Sequence, residues 1–440
     1  MATDKALSPT SMSDWDVGAR TKLLGEVQWG IDFPSDHEQS GGRGPLCGSA
    51  EGTIGSALRG KNNSFGFLRL LFASLVLFDH AFPLGGFGGD PTYTWTHGQD
   101  SAGGIAVAGF FVISGYLITK SAIRTQAVTF LWHRFLRIFP GLWACLAVGA
   151  LIVGPIAWAS EQRPVLDYWT SSAGGPVQYV LSNALLTVNQ WGIHDVFIGT
   201  PYGISSTISV FNGSLWTLAY EWHCYLVVGA LALLGVMRRA RPIIVLTWLG
   251  LWVLTVLQVE APDMAARFGP WFDDLFNVRF TMIFMTGAVL AVYSKRIPLN
   301  DCFGVLSGCI WILSLVMAGY TVVGYPAMAY FVIWLAARLG PLFRRVGAVN
   351  DYSYGIYIYG FLVQQIVASA DVQKYGFVVF LVVSWVGSLL FAMLSWHFVE
   401  KIWLRAKDWT PSRGFRRVRS PSKDGNKFDG LSGVVMASKD

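Results

Sequence analysis

The feature that most constrains this chain is a series of long apolar stretches separated by short polar loops. A helix needs about 20 apolar residues to cross the roughly 30 Å hydrocarbon core of a membrane. Ten stretches approach that length: 64–84, 104–121, 139–158, 215–237, 242–259, 276–293, 302–320, 322–337, 353–370 and 375–399. Charged residues make up only 14% of the chain, against about 25% in a soluble globular protein. The sequence therefore predicts an all-α polytopic membrane protein, a bundle of about ten transmembrane helices.

The positions of the basic residues predict how the stretches are oriented. Every even-numbered stretch is followed by a cluster of Lys and Arg, whereas the loop 85–102 after the first stretch has none. Cytoplasmic loops are enriched in these residues, so the alternation predicts that both termini are cytoplasmic. The segment 178–190 is apolar but too short and too polar to cross. We expect it to be re-entrant or interfacial, since a full span there would move every later cluster to the other side.

Polar segments flank the apolar region and divide the chain into three parts. Residues 1–62 are predicted to be a flexible cytoplasmic extension, residues 63–405 the transmembrane domain, and residues 406–440 a disordered basic tail near the inner leaflet. The clusters between apolar stretches account for the net charge of +6, so no nucleic-acid partner is predicted; the expected partner is the lipid bilayer. The five cysteines are scattered without a CxxC pair, and no metal site is predicted.

The first stretch contains ionisable residues, which are costly within a membrane and therefore candidates for function. Arg69 and His80 are eleven residues apart, which places them on one helical face and roughly 16 Å apart along the axis. Arg69 then lies near the inner surface and His80 in the outer third of the membrane. Arg69 equally fits a side chain that extends to the inner interface, and His80 a hydrogen-bonded packing residue. Asp79 is predicted to have a structural partner on another helix.

The fourth stretch contributes a second candidate, Glu221, a few residues inside its outer boundary together with His223. This position predicts a depth similar to that of His80. A carboxylate that orients an imidazole is a common general-base arrangement. A hydrogen bond between helices without any chemistry is the alternative interpretation.

Two further arginines, Arg134 and Arg137, lie at i and i+3 on one helical face at the predicted cytoplasmic surface. Paired guanidinium groups suit the recognition of phosphate. Positive charge that only sets the membrane topology explains them nearly as well. The small residues of the second stretch, among them Gly109 and Gly115, predict close packing between helices.

Taken in order, several segments resemble the acyltransferase-3 family of integral membrane O-acyltransferases. The resemblance covers residues 64–405 and rests on these pieces: LRLLFASLVLFDH with its Arg-x10-His pair, GFFVISGYLIT (109–119), HRFLRIFP, SLWTLAYEWHCY (214–225), YSYGIYIYG (352–360) and HFVEKIW (397–403). Each piece alone is weakly specific, but the ordered set is specific. One departure is Gly360, where members of the family often have a histidine, and this weakens any catalytic role for Tyr357 or Tyr359.

The resemblance implies a transferase that moves an acyl group, often acetyl, from acyl-CoA to a hydroxyl of an exported glycan or a lipid-linked sugar. It implies that His80 is the catalytic base and that Arg69, Arg134 and Arg137 serve the acyl-CoA, which is a co-substrate and not a permanently bound cofactor. Glu221 would orient or polarise His80. The implied location is the inner membrane of a bacterium, as a multi-pass protein.

Two other functions are alternatives to the transferase. A proton-coupled transporter or exporter would use His80 and Glu221 as a proton relay, since transporters also place such residues at mid-depth. A non-enzymatic scaffold leaves Arg69, His80 and Glu221 without a reason for their cost in the membrane. Release of CoA from acetyl-CoA by the purified protein separates the transferase from the other two.

Overall fold

The computed structural model describes residues 52–60, 63–171 and 174–409. These ranges are built from helices, and the one β pairing within them is an isolated bridge between Thr53 and Pro298. The ten predicted stretches correspond to these helices: α1 Phe65–Leu84, α2 Ala102–Arg124, α3 Ala127–Ser160, α4 Thr217–Leu233, α5 Arg241–Glu260, α6 Leu275–Val292, α7 Asp301–Val316, α8 Tyr320–Arg338, α9 Ser353–Ser369 and α10 Phe377–Lys407.

Seven of these helices, namely α1, α2, α3, α5, α6, α8 and α10, are long and apolar enough to cross a membrane. Helices α4 and α9 have 17 residues each and α7 has 16. A helix of 17 residues is about 26 Å long, somewhat less than the thickness of the hydrocarbon core. The all-α fold with several membrane-spanning helices is confirmed, while the count of ten spans stays a prediction.

Helix α4 is short because the chain that precedes it runs inside the bundle. Phe211 and Asn212 are buried, and the Asn212 side-chain amide donates to the carbonyl of Ile358 at 2.8 Å. Ile358 lies near the middle of the first half of α9, so α4 begins next to that helix and not at the outer surface. This placement brings the first turns of α4 into the interior.

Helices α2 and α6 cross closely, as the small residues of the second stretch predict. A Cβ atom added to Gly115 would lie 2.0 Å from the carbonyl oxygen of Phe284 on α6. A Cβ atom added to Gly287 would lie 2.3 Å from the carbonyl oxygen of Val112 on α2. Both positions therefore need glycine, and the crossing fixes α6 against the helix that carries the second family motif.

A short part of the predicted N-terminal extension belongs to the bundle. Residues 54–57 form a helix, and the amide of Gly55 donates to the carbonyl of Ser294 at 2.7 Å. The amide of Ile54 donates to Ile297, and the Ile54 side chain is fully buried. An apolar side chain therefore holds these residues against the turn after α6, while the predicted flexibility of the extension stays a prediction.

The segment predicted to be re-entrant or interfacial contains an eight-residue helix, Pro176–Asn183. The helix exposes the apolar side chains of Val177 and Leu181, and that of Leu185, two residues after its end, is also exposed. The rest of the predicted extension, residues 1–51 and 61–62, and the predicted tail beyond residue 409 lie outside the described residues.

Candidate active site

His80 lines a cavity of about 250 Å³, here called the outer cavity, since His80 lies in the half of α1 predicted to face outwards. The His80 ring packs edge-on against Phe361 of α9, with 5.4 Å between the ring centroids. The other charged or hydroxyl-bearing residues that line it come from α1, α4, α6, α8 and α9, or from the loops before α2 and α4: Asp79, Asp100, Ser101, Ser214, Thr217, Arg279, Tyr325 and Tyr357. The cavity thus surrounds an imidazole with hydroxyl groups, two carboxyl groups and a guanidinium group.

Two polar atoms of residues that line the outer cavity lack a partner. Within the described residues, no hydrogen-bond partner is present for the buried Oγ of Ser214 or the buried Nε of Arg279. A buried polar atom without a partner costs about 1–3 kcal/mol. A ligand in this cavity can supply what these atoms lack.

The loop before α2 contributes Asp100 to the outer cavity. Tyr325 donates its hydroxyl to Asp100 at 3.2 Å, and the amide of Ser101 donates to it at 3.0 Å. Burial raises the pKa of Asp100 to about 6, although these hydrogen bonds and the nearby Arg279 act in the opposite direction. Asp100 therefore changes its charge in the weakly acidic range.

A second, narrower cavity of about 40 Å³ follows the outer one towards the predicted inner side. We call it the middle cavity; it is lined by Arg69, Phe110, Ser114, Glu221 and Tyr354, among others. Both cavities are also lined by the same three residues, Val107, Thr217 and Tyr357. The hydroxyl groups of Thr217 and Tyr357 are hydrogen-bonded to each other, so this pair lies at the boundary between the two cavities.

Glu221 lies in the middle cavity and not beside His80. Its carboxylate accepts hydrogen bonds from Ser114 at 3.0 Å and from Tyr225 at 2.5 Å. No hydrogen bond joins Glu221 to His80 in the part of the chain that the structure describes. The predicted equal depth assumed that α4 starts at the outer surface, whereas it starts inside the bundle, so Glu221 lies deeper than expected.

The three predicted donor-site arginines lie close together with two carboxylates, and we call Arg69, Arg134, Arg137, Asp351 and Glu400 the arginine cluster. Asp351 accepts from Arg69 at 2.5 Å and from Arg137 at 2.8 Å. Glu400 reaches Arg137 at 3.5 Å. Burial opposes ionisation of Asp351, but the two arginines outweigh it and lower its pKa to about 2.

Arg134 differs from the other two arginines of the cluster. Its buried Nε has no hydrogen-bond partner among the described residues. Tyr225 and Glu221 lie within electrostatic range of its guanidinium group. Of the three arginines, Arg134 is thus the one whose charge is least occupied by contacts within the protein.

Comparison with known proteins identifies the family. A family model described as an acyltransferase domain matches residues 62–397. This chain belongs to the acyltransferase-3 family. An O-acetyl transferase of Shigella phage Sf6 is 31% identical over 78% of this chain and 96% of its own length. Nodulation protein 10 of Rhizobium leguminosarum bv. viciae is 28% identical, with 78% of this chain and 93% of that protein aligned. No solved structure matches the chain.

Membership of the acyltransferase-3 family confirms the resemblance seen in the sequence. The protein is an acyltransferase for groups other than aminoacyl groups, and its apolar helices make it a multi-pass membrane protein. The transporter and scaffold interpretations are therefore set aside. All five residues predicted for the site lie within the matched range 62–397, namely His80, Glu221, Arg69, Arg134 and Arg137. The match does not assign their roles.

Sequence reasoning missed several residues that the structure places at these cavities. Arg279 was detectable, because it is a charged residue inside the apolar stretch 276–293 and the rule that selected His80 applies to it equally. Asp351 and Glu400 stand in or next to quoted motifs, but their contacts with arginines 214–282 positions away are not visible in the sequence. Asp79 has the partner on another helix that was predicted, since its carboxylate packs over Gly103 of α2.

Proposed function

We propose that this acyltransferase moves an acetyl group from acetyl-CoA to a hydroxyl of a carbohydrate-type acceptor, such as a lipid-linked glycan, in the inner membrane of a bacterium. The observation that carries the proposal is the outer cavity, where an imidazole lies among hydroxyl groups and unpartnered donors. The name of the phage relative, an O-acetyl transferase, supports acetyl as the transferred group.

In the proposed reaction His80 is the general base. It accepts the proton of the acceptor hydroxyl while the hydroxyl oxygen attacks the thioester carbonyl carbon. The carbon–sulfur bond then breaks, and the proton passes from His80 to the departing thiolate. The products are an acetyl ester of the acceptor and free CoA, so protons and electrons balance without a further reactant.

The unpartnered atoms of the outer cavity suit the charge that develops during this reaction. Attack on the thioester places negative charge on the carbonyl oxygen, and pre-positioned donors stabilise such an oxyanion. The Ser214 hydroxyl and the Arg279 guanidinium lack partners at one atom each and line the cavity that contains His80. We assign them to the oxyanion or to the hydroxyl groups of the acceptor.

The middle cavity and the arginine cluster are assigned to the donor. Arg134, whose Nε has no partner among the described residues, is proposed to contact the diphosphate group of acyl-CoA directly. Arg69 and Arg137 are held by Asp351, and they shape the site and add positive charge. Glu221 is proposed to act on catalysis by holding the middle cavity through Ser114 and Tyr225, since no contact with His80 supports direct orientation of the imidazole.

The proposed topology fits this division of roles. With ten spans and both termini in the cytoplasm, the arginine cluster faces the side where acyl-CoA is made, and His80 faces the outer half. A reporter fused after residue 265 should then signal an external location, and a cytoplasmic signal there would contradict the alternation of basic clusters.

Labelled acetyl-CoA tests the function directly. Membranes that contain the protein should transfer the acetyl label into their lipid-linked carbohydrate fraction and release free CoA in equal amount. Membranes of the same host without the protein are the control. Label that stays on CoA, or that appears only in protein or phospholipid, would contradict the proposed acceptor.

A further inference from the structure

A third and larger cavity lies at the predicted cytoplasmic end of the bundle. Its volume is about 1070 Å³, and we call it the inner cavity. Its walls are the last two turns of α2, the start of α1, the turn after α6 and the short segment 53–60 that docks on that turn. Ligand pockets commonly measure 300–1,000 Å³, so this cavity is large enough for a nucleotide-sized molecule.

The described residues that line the inner cavity carry charge of one sign. Among them are six basic residues and no aspartate or glutamate: Arg59, Lys120, Arg124, Arg241, Lys295 and Arg296. None of the six forms an ion pair with a carboxylate in the described part of the chain. Lys120 instead donates to the Tyr116 hydroxyl at 3.1 Å and reaches the Leu58 carbonyl at 3.5 Å.

The three cavities follow one another along a single face of α2. Gly103 and Val107 line the outer cavity, and Phe110 and Ser114 the middle one. Arg124 lines the inner cavity. At 100° per residue all five positions fall within about 100° around the helix axis, so one face of α2 passes all three cavities.

Helix α1 shows the same order. His80 lines the outer cavity, Arg69 the middle cavity and Phe65 the inner cavity. These three residues lie within about 60° of one another around the axis, and the first and last are about 22 Å apart along it. A long, thin ligand lying along this face would reach from the inner cavity to His80.

We propose that the inner cavity binds the phosphate-bearing nucleotide end of the acyl-CoA donor. This rests on the proposed function, and it adds a binding site that the arginine cluster alone does not provide. The pantetheine arm then passes through the narrow middle cavity, whose volume of about 40 Å³ must widen to admit it, and the thioester reaches His80. A bulky, highly anionic nucleotide fits a wide, unneutralised basic cavity better than it fits the arginine cluster, where two of the three guanidinium groups are already paired with Asp351.

Basic residues that only set the membrane topology do not have to line a cavity. The six basic residues named above come from separate parts of the chain and all line the inner cavity. A headgroup of an anionic lipid shares the phosphate chemistry and is the competing source. The order of the cavities along α1 and α2 favours the donor, because a lipid headgroup has no reason to lie in line with His80.

The test uses adenosine 3′,5′-bisphosphate, which carries phosphates of the nucleotide end without the pantetheine arm. Purified protein in neutral detergent should bind it, and it should compete with acetyl-CoA. The double variant Arg124→Gln/Arg296→Gln should weaken both ligands at least tenfold, as expected for lost charge-assisted contacts. Its kcat/KM for S-acetylpantetheine, which lacks the nucleotide, should stay within twofold of wild type.

The matched control is Arg239→Gln/Arg405→Gln, which removes two positive charges from predicted cytoplasmic clusters without touching the inner cavity. It should leave both affinities unchanged, so a general loss of attraction is excluded. If the double variant folds poorly, Lys295→Gln alone should still weaken the bisphosphate severalfold.

The outcomes separate the two proposals. Wild-type protein that binds neither acetyl-CoA nor the bisphosphate would contradict the proposed function itself. Wild-type binding that Arg124→Gln/Arg296→Gln leaves unchanged would overturn only the assignment of the inner cavity. The assignment is also overturned if this variant loses affinity for phosphatidylglycerol but keeps its affinity for acetyl-CoA, which would make the cavity a lipid site.

Discussion

The outer cavity and the arginine cluster both keep polar groups inside an apolar bundle, but they do so in opposite ways. In the cluster, Asp351 lies 2.5 and 2.8 Å from Arg69 and Arg137, so opposite charges are matched within the protein. In the outer cavity, Ser214 and Arg279 each keep a buried atom without a partner in the described part of the chain.

This difference predicts different consequences of substitution. A matched ion pair stabilises the fold as long as both partners remain, and removing one leaves a buried charge. An unmatched group costs stability, so its retention indicates a ligand that completes it. Changes in the outer cavity should therefore alter the reaction rate, and changes in the matched part of the cluster should alter stability.

The largest expected effect is that of His80→Ala on the reaction rate. We expect acetyl transfer to fall about 10²–10⁴-fold, the usual contribution of a positioned base, while the protein still inserts and binds acetyl-CoA. Transfer rate and acetyl-CoA affinity are measured on the same preparation. His223→Ala is the control, because it removes an exposed imidazole of α4 and should keep the wild-type rate.

Asp351→Asn should be the most destabilising change in the arginine cluster. It leaves Arg69 and Arg137 without their shared carboxylate, and we expect a loss of about 3 kcal/mol, near the lower end for a broken buried pair. Thermal unfolding in detergent measures the loss. The control is Asp301→Asn, which breaks the more exposed pair with Arg338 and should cost less than about 1 kcal/mol of stability. Equal losses in the two variants would contradict the claim that the arginine cluster stabilises the fold more than an exposed pair does.

Arg134→Gln tests whether the unpaired member of the cluster behaves like the outer cavity. We expect KM for acetyl-CoA to rise roughly tenfold, with a melting temperature close to that of wild type. Arg137→Gln should show the opposite result, a clear loss of stability with little change in KM, because Glu400 loses its arginine partner and Asp351 loses one of its two. Loss of stability in Arg134→Gln without a change in KM would place Arg134 among the structural arginines.

The smallest expected effect is the pH dependence of stability from Asp100. Burial raises the pKa of this carboxyl to about 6, so the folded protein holds the proton more tightly than the unfolded chain. The cost of ionising Asp100 is absent below about pH 4, grows as the pH rises to about 6 and becomes constant above that. Asp100→Asn should therefore gain stability relative to wild type between pH 5 and pH 7.5; a gap that stays constant would show that Asp100 does not titrate in this range.

The helices and the family were predictable from the sequence because hydropathy and short motifs are local signals. Each predicted stretch corresponds to a helix, and Arg69 and His80 lie in the same one, α1. The family motifs supplied the activity, which neither composition nor periodicity contains.

The depth of Glu221 and the partners of the arginines were not predictable in the same way. Glu221 lies deeper than expected because residues 211–212 fold into the bundle, which depends on a hydrogen bond to Ile358 from 146 positions away. The ion pair between Arg69 and Asp351 joins residues 282 positions apart. Such contacts are set by tertiary packing, and a single sequence does not show them.

Chemical rescue of His80→Ala by imidazole tests the central claim most directly, namely that proton transfer occurs in the outer cavity. Removing the side chain leaves space beside a cavity of about 250 Å³, so free imidazole has room to take the place of the lost base. We predict that added imidazole restores part of the transfer rate of His80→Ala, with a dependence on pH that follows the neutral form of imidazole. A His80→Ala protein that transfers acetyl at the wild-type rate without imidazole would contradict the account.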